Sequence, residues 1–314
     1  MAFSREPAVS SHWMPSSFHK GAGAGMSSPK TCSFHRCADT SWAMLITVIP
    51  RSLRRPSAIP RGYDQVDPRT ATRVPLGHEL SGTNPVFDGD PPFAARVFAT
   101  VPEAGYLVEQ ITSLGTHLGT HIDVPAHFVP GGARLSDLDE SWTLMPLAVF
   151  DAPEPGRSIT MDDVHAWERR WSPIPSGACV VLRTGHAQLF GTPEYSIQAA
   201  GFSADGVSWL FGTRRVRALG SDTFGPDTDS SFAATRTALE AGGVVLANLG
   251  PGLNRMRTHG DWISVNAPRP AFSGFPVGVT GFTVPAAAHR PPRADPATAS
   301  PRPPTEAPPQ GPSQ

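Results

Sequence analysis

The chain has 314 residues, a formal net charge of -1 at pH 7, and many prolines and glycines, 35 and 30 respectively. Because its charge is almost balanced, we do not expect nucleic acid or an anionic membrane as a partner. Three cysteines leave an odd number and no disulfide framework, which favours a reducing compartment and a cytoplasmic protein. The length allows one or two domains.

Residues 1–73 are rich in Ser, Pro, Arg and Gly and show no sustained hydrophobic periodicity. The apolar run at 42–49 is far shorter than the roughly 20 residues that span a membrane. It also lies too far along the chain for a signal peptide. The segment CSFHRC at 32–37 is interpreted as accidental composition, not as a metal cluster. We expect a disordered or non-native extension here, and one hypothesis is that the true start lies downstream.

From residue 74, short β-prone runs alternate with turn residues and with three or four helices. The segment 160–163, TMDD, has the form of a capping box with Asp in place of Glu. Helices are predicted at about 160–171, from Ser203 past Leu210, and at 232–239, and strands at 95–101, 178–182, 216–219 and 244–249. Cys179 is interpreted as a core residue, and Asp90 as a turn residue, not a ligand. The segment 287–314 is Pro/Ala-rich and is expected to be disordered, which leaves a domain at 74–286.

The most informative stretch is HLGTHIDVPAHF at 117–128. It holds His117, His121, Asp123 and His127 in the spacing H-x3-H-x-D-x3-H. Imidazole nitrogens with a carboxylate suit a divalent ion such as zinc or manganese. The alternative is a histidine-rich strand that binds no metal.

The geometry of this stretch favours an extended chain over a helix, because glycine, β-branched residues and proline are poor helix formers. The four candidate ligands share one parity, so a strand would place them on one face. Four extended residues span about 13 Å, which is too far for two histidines to meet easily on one ion. We therefore predict a bend at Gly119 and the end of the strand at Pro125.

The pattern H-x-G-T-H-x-D-x-P-x-H resembles the signature of the cyclase family, which includes bacterial kynurenine formamidases and isatin hydrolases. Weaker resemblances extend it from Leu76 to Val284, in the segments 76–93, 180–195, 218–229, 239–249 and 273–284. The resemblance implies one α/β domain of the swivelling β/β/α type, with the metal at the edge of a mixed sheet. It also implies a small-molecule substrate and a homo-oligomer.

Two further residues acquire a meaning from this resemblance. Asp222 resembles a fixed family aspartate that supports the active-site region, although a turn aspartate fits equally well. His186 stands where relatives often have an aromatic residue. It is therefore either a substrate contact or an ordinary surface histidine.

The chain departs from the family pattern at two positions. Hydrolase members carry a histidine on a helix and, twelve residues later, a glutamate at the end of the next strand; here these positions are Thr235 and Ala247. In two-metal members the glutamate helps to hold the second ion and the histidine helps to move protons. Threonine cannot shuttle a proton near neutral pH, and alanine cannot bind a metal. We therefore expect at most one tightly held ion.

The remaining residues suggest a one-metal mechanism. His117, His121 and Asp123 are expected to hold one zinc or manganese ion, and His127, freed from a second ion, is expected to act as a general base. This favours hydrolysis of a small amide, of the formamidase or cyclic-amide-opening type. Two alternatives stay open: metal-assisted ring closure or dehydration of a small keto or enol substrate, and an inactive metal-binding relative.

Overall fold

The computed structural model describes Tyr63, Asp67 and residues 69–196 and 199–283. The segments 32–37 and 287–314, and most of the predicted N-terminal extension, lie outside the described residues. Just before the predicted domain boundary, Tyr63 is buried and its hydroxyl donates to the Leu147 carbonyl at 3.0 Å. The first strand begins at Thr72, two residues before that boundary.

The described residues form thirteen strands and four α-helices. The strands are β1 (Thr72–Pro75), β2 (Ala94–Ala99), β3 (Val108–Ser113), β4 (His121–Asp123), β5 (Leu144–Asp151), β6 (Ser158–Ile159), β7 (Cys179–Arg183), β8 (Gly201–Phe202), β9 (Ala218–Ser221), β10 (Val244–Ala247), β11 (Asp261–Asn266), β12 (Gly274–Pro276) and β13 (Gly278–Thr283). The helices are α1 (Val101–Ala104), α2 (Met161–Arg170), α3 (Ala204–Trp209) and α4 (Ala233–Glu240). None of these helices is long and apolar enough to cross a membrane.

Nine of the described strands build one curled, mixed sheet in the order β1-β13-β11-β5-β7-β9-β10-β4-β12. Its centre, from β5 through β7 and β9 to β10, is parallel. Antiparallel strands continue it on both sides. Two small pairs stand apart from this sheet, the β2–β3 hairpin and the parallel pair of β6 with β8. The strand β4, which carries part of the predicted metal stretch, lies between β10 and β12.

Both faces of the sheet are covered, as expected for a sheet with a parallel centre. Alternate residues of one strand enter different cores: Leu147 and Val149 belong to one apolar cluster, Ala148 and Phe150 to the other. The second cluster includes the buried faces of α2, α3 and α4. The sheet therefore forms a rigid support for the loops at its edge.

Several predicted elements are confirmed. The Thr160 hydroxyl accepts from the Asp163 backbone, and the Asp163 carboxylate accepts from the Thr160 backbone, so the capping box starts α2 as expected. Ser203 caps α3, and Cys179 is fully buried in β7. The segment 273–284 was expected to give one final strand. It gives two, because β12 pairs with β4 whereas β13 pairs with β11.

Candidate metal centre

The metal stretch bends where the sequence predicts a bend. Gly119 has φ +63°, a conformation that glycine adopts without a steric penalty. The short strand β4 follows, and Pro125 ends it by opening a 3₁₀ turn over Pro125–His127. This path replaces a long extended strand by two changes of direction. The candidate ligands can therefore approach one another more closely than they could in a straight, extended chain.

Within β4, side chains alternate between the two faces of the sheet. Ile122 is fully buried and packs in the apolar cluster on one face. His121 and Asp123, on the opposite face, are also buried. A carboxylate and an imidazole so removed from water need partners nearby.

Those partners are the other predicted ligands. His117 Nδ1 lies 2.7 Å from Asp123 Oδ1, and His121 Nε2 lies 3.3 Å from the same oxygen. The His127 ring stacks on the His117 ring with centroids 3.9 Å apart. One ligand atom from each of His117, Asp123 and His127 lies within 4.8 Å of the others. The structure thus brings all four predicted ligands together.

The outer nitrogens of two rings are already held. His121 Nδ1 donates to the Gly119 carbonyl at 2.9 Å; since a carbonyl only accepts, Nδ1 carries a hydrogen. Nε2 faces Asp123, and it would bind a metal ion after losing its own proton. His117 Nε2 lies 3.1 Å from Ser273 Oγ, which leaves Nδ1 facing the same carboxylate. Metal-binding histidines are characteristically fixed in this way through the ring nitrogen that does not bind the metal. The residues present therefore fit a divalent ion.

A close approach of backbone to ring fixes His117. A Cβ atom added to Gly274 would lie 2.4 Å from His117 Cε1 and 2.7 Å from its Nδ1. Only glycine leaves room for the imidazole at this point of β12. The segment that resembles the family's last block thus contributes both Ser273 and Gly274 to the site. Sequence patterns alone did not indicate either residue.

Burial and charge oppose each other at the centre of the cluster. Burial raises the pKa of Asp123, but the neighbouring imidazoles of His121 and His117 outweigh burial, so the pKa lies well below its usual range. Burial lowers the pKa of His121, but the Asp123 carboxylate more than reverses this, and the net pKa is raised. Burial lowers the pKa of His127, and the opposing effect of the Asp123 charge is smaller. The cluster therefore concentrates a stable negative charge at Asp123.

A cavity of about 310 Å³ opens onto this cluster. Its apolar wall is aromatic, formed by Phe87, Phe128, Phe224 and Phe232. The Asp90 backbone N–H donates to the Phe87 carbonyl at 3.0 Å, which agrees with the predicted turn. Asp90 nevertheless also lines the cavity, together with Asp88. A polar cluster beside apolar walls is the usual composition of a small-molecule site.

Comparison with known proteins identifies the domain. Residues 74–228 match the model of the family described as "Putative cyclase". Residues 74–228 belong to the cyclase family. The resemblance found in the sequence is therefore confirmed, and the match covers the metal stretch as well as Asp222.

Two curated relatives illustrate the cyclase family. A kynurenine formamidase from Geobacillus thermodenitrificans is 37% identical over 93 residues, which are 29% of this chain and 44% of that protein. An isatin hydrolase from Roseibium aggregatum is 28% identical over 130 residues, which are 36% of this chain and 49% of that protein. The chain thus spans about half the length of these relatives.

A solved structure supports the cyclase fold. Isatin hydrolase A from Ralstonia solanacearum superposes with a TM-score of 0.62 at 24% identity, covering 68% of this chain and 92% of that chain. The predicted α/β fold with a mixed sheet is confirmed. At this level of identity the likeness concerns the fold alone.

Asp222 and His186 of the cyclase domain lie in one loop network. The Asp222 carboxylate accepts from the Thr184 and Gly185 backbones, each at 2.8 Å, and from the Thr184 hydroxyl. His186 Nδ1 lies 2.9 Å from that same hydroxyl, and the ring is buried. His186 is not among the described residues that line the cavity. Asp222 thus organises the loop after β7, and His186 packs within it.

Asn248, a site residue that was not predicted from the sequence, has φ +55°. Its Oδ1 accepts from the Tyr195 hydroxyl at 2.6 Å, and its Nδ2 donates to the Gly119 carbonyl at 2.7 Å. The Tyr195 hydroxyl also lies 3.3 Å from the Asp222 carbonyl oxygen. A buried chain of hydrogen bonds therefore leads from the Asp222 loop to the backbone that holds His121.

The two positions at which the resemblance implied glutamate and histidine both lie near the predicted ligands. Ala247 pairs with His121 in the register of β10 with β4, so the two side chains share a face of the sheet. Thr235, on α4, lines the cavity. Neither side chain alone supplies a carboxylate or an imidazole that could bind a second ion.

Proposed function

We propose that this protein is a metal-dependent hydrolase of a small amide that uses one zinc or manganese ion. The observation that carries the proposal is the convergence of four side chains at a cavity with aromatic walls. His117 Nδ1 and His121 Nε2 lie 2.7 and 3.3 Å from Asp123 Oδ1, and the His127 ring stacks on His117. The hydrolase names of the curated relatives support the reaction class. The choice of a formyl amide or a cyclic amide as substrate follows from the same two names, kynurenine formamidase and isatin hydrolase.

His117, His121 and Asp123 would hold the ion through the atoms that already face one another. When bound, a divalent ion lowers the pKa of a water molecule to about 7 and polarises a carbonyl group. Ser273 and the Gly119 carbonyl would keep the two imidazoles oriented through their outer nitrogens. These residues are proposed as the metal site.

His127 is proposed as the general base. It is the most exposed of the four side chains, and its lowered pKa keeps the ring neutral at pH 7 and able to accept a proton. Stacking on His117 fixes the orientation of its ring. A water molecule placed between His127 and the substrate carbonyl would lose its proton to this ring as it attacks.

The cavity walls favour a small substrate with a flat apolar part. The volume of about 310 Å³ is at the lower end of the range of roughly 300–1,000 Å³ for ligand pockets. The Phe87 and Phe224 rings meet edge to face at 5.9 Å, and Phe128 and Phe232 lie 5.6 Å apart. Such aromatic surfaces bind aryl groups by stacked or edge contacts. An aryl amide therefore suits this site.

We also propose that the protein forms a homo-oligomer. The β2–β3 hairpin pairs with no further strand among the described residues. Phe98 is 69% exposed, and Val97 and Ile111 are similarly uncovered. A lone two-stranded hairpin is marginally stable in water, and contiguous exposed apolar residues mark interaction surfaces. A second copy of the chain is the proposed cover.

The proposal is tested with protein stripped of metal and then reconstituted with one equivalent of zinc or manganese. Formanilide and isatin are the substrates, in water enriched in ¹⁸O. We expect turnover that depends on metal, with label in the formate or the ring-opened acid. Asp123→Ala and His127→Ala should each lower kcat/KM by about 100-fold or more, whereas His165→Ala, outside the site, should not.

The outcomes separate the alternatives. Metal-independent activity, or full activity of His127→Ala, would contradict the proposed mechanism. Turnover of a keto or enol substrate without incorporation of label would favour ring closure or dehydration. Tight binding of metal without turnover of either amide would favour the inactive relative.

A further inference from the structure

The hydroxyl of Thr235 is paired with a carboxylate. Thr235 Oγ1 donates to Asp227 Oδ2 at 2.5 Å when the carboxyl group is ionised. At the same distance a protonated Oδ2 can donate to Oγ1 and leave the hydroxyl hydrogen free to point into the cavity. Asp227 lies in the loop between β9 and α4. We infer that Asp227 and Thr235 act together as the proton-transferring acid of the site, at the position where hydrolase members carry a histidine. This inference rests on the proposed hydrolase function.

The pair connects two cavities. Thr235 lines the cavity that holds the predicted metal ligands, and Asp227 lines an adjoining cavity of about 170 Å³. Phe87, Phe224, Gly225 and Phe232 contribute to both. A Cβ atom at Gly225 would lie 3.3 Å from Asp227 Oδ2 and 3.6 Å from Thr235 Oγ1. The glycine thus leaves the pair uncovered at the shared wall.

The two carboxylate oxygens of Asp227 have different hydrogen-bond partners. Asp227 Oδ1 accepts from the backbone N–H groups of Ala234 and Thr235, at 2.7 and 3.2 Å. These bonds satisfy the first turn of α4, whose N-cap Phe232 offers no side-chain acceptor. Oδ2 takes no part in this capping and is directed to the hydroxyl. A purely structural cap therefore does not require the Thr235 side chain.

The environment of Asp227 favours a bound proton. Burial raises the pKa of its carboxyl, and this outweighs the hydrogen bonds from Thr235 and Ala234, with Asp229 adding to the increase. Asp229 lines the same adjoining cavity, while Asp88 and Asp90 line the metal-side cavity. The negative charge of Asp229 thus disfavours a second negative charge at Asp227. A carboxylic acid poised in this way can donate through the hydroxyl beside it.

The proton transfers balance in amide hydrolysis. As the C–N bond breaks, its electron pair goes to nitrogen, and the nitrogen takes the hydroxyl proton of Thr235. Asp227 Oδ2–H replaces that proton on Thr235 Oγ1 and becomes a carboxylate. The attacking water gives its proton to His127. His127 then releases its proton to bulk water, and Asp227 regains one proton through the adjoining cavity, which restores both groups.

Paired substitutions test the inference in the metal-loaded protein. Thr235→Val removes the hydroxyl at constant shape, and Asp227→Asn keeps an acceptor for the cap but removes the proton. Each should lower kcat for formanilide about 100-fold, with unchanged KM and unchanged metal content. Thr235→Ser should restore most of the activity. Thr237→Val, the same change two residues further along α4 and outside the cavity lining, should leave kcat within twofold of the parent chain.

A change of leaving group separates proton transfer from structure. 4-Nitroformanilide releases a much weaker base and needs less protonation as its C–N bond breaks. The loss of kcat caused by Thr235→Val and Asp227→Asn should therefore shrink to about fivefold or less with this substrate. Equal losses for both formanilides, or no loss, would overturn the inference while the proposed function stood.

A titration decides the matter independently of turnover. ¹³C NMR of the aspartate carboxyls, with Asp227→Asn to assign the resonance, should show Asp227 titrating above the ordinary aspartate pKa. Thr235→Val should raise that pKa further, because it removes a hydrogen bond that stabilises the ionised carboxylate of Asp227. A pKa at or below the ordinary value would overturn the inference even if the parent chain cleaved neither amide; that lack of turnover would itself contradict the proposed function.

Discussion

Asn248 Nδ2 donates to the Gly119 carbonyl at 2.7 Å. The same oxygen accepts from His121 Nδ1 at 2.9 Å. A residue that follows β10 therefore holds the backbone carbonyl that orients a predicted metal ligand 127 positions earlier in the chain. The arrangement fixes both the ring and the position of its hydrogen, so that Nε2 remains free for the ion.

Loss of the Asn248 amide should weaken metal binding. Asn248→Gly removes the amide but keeps a residue that tolerates φ +55°. We expect the zinc dissociation constant, measured by competition with a chelator, to rise about 10–100-fold. Asn254→Gly, at an exposed position, is the control. An unchanged dissociation constant for Asn248→Gly would show that His121 is oriented without it.

The contact between Gly274 and His117 makes a second prediction. Gly274→Ala places a Cβ atom 2.4 Å from His117 Cε1, so the ring must move away from Asp123. Zinc affinity should fall at least about tenfold. Gly278→Ala is a matched control, since its Cβ would lie 3.8 Å from the nearest atom, the Asn266 carbonyl oxygen. Similar affinities for the two variants would mean that His117 is not a ligand.

Tyr63 tests how much of the chain before residue 74 belongs to the folded domain. The side chain is 2% exposed and donates to Leu147. Tyr63→Ala should lower the free energy of unfolding by about 3 kcal/mol, and Tyr63→Phe by about 1 kcal/mol. Tyr106→Ala, at a residue 60% exposed, should change it by no more than about 0.5 kcal/mol. Denaturant unfolding of the four proteins gives these differences; equal stability of Tyr63→Ala and the parent would place the boundary after Tyr63.

The exposed hairpin makes a prediction about assembly. Phe98→Glu combined with Ile111→Lys introduces charges into the proposed contact between copies. Sedimentation should then show monomers at concentrations at which the parent chain is oligomeric. Leu144→Lys places a charge at an exposed apolar residue outside the hairpin and should leave the assembly intact. A parent chain that is monomeric at all concentrations would contradict the proposed homo-oligomer.

The sequence was informative where structure is local. The capping box of α2, the caps of α3 and the bend at Gly119 follow from neighbouring residues, and the structure contains each of them. Strand parity placed His121 and Asp123 on one face, but His117 lies before the strand and reaches them through the bend. Turn chemistry explained Asp90 only in part, because its side chain also lines the cavity.

The supporting residues of the site could not be found in this way. Ser273 and Gly274 reach His117 because β12 pairs with β4, and Asn248 reaches Gly119 because β10 pairs with β4. Each contact joins residues more than a hundred positions apart. No local propensity or motif spacing encodes such pairings. The hydrogen bond between Thr235 and Asp227 spans only eight residues. No motif in the sequence marks Asp227 as the partner of Thr235.

We expect Ala247 to limit the site to one ion. It is fully buried and pairs with His121 across β10 and β4, on the face that carries the ligands. Ala247→Glu restores a carboxylate there, and we expect metal content, measured by elemental analysis after gel filtration, to rise from one to two ions per chain. Ala247→Gln has nearly the same size but no charge and should remain at one. In metal-free protein both variants should lose about 1–3 kcal/mol of stability through overpacking, and added zinc should recover more of that loss for Ala247→Glu. Two ions in the parent chain would show that other residues already replace the glutamate.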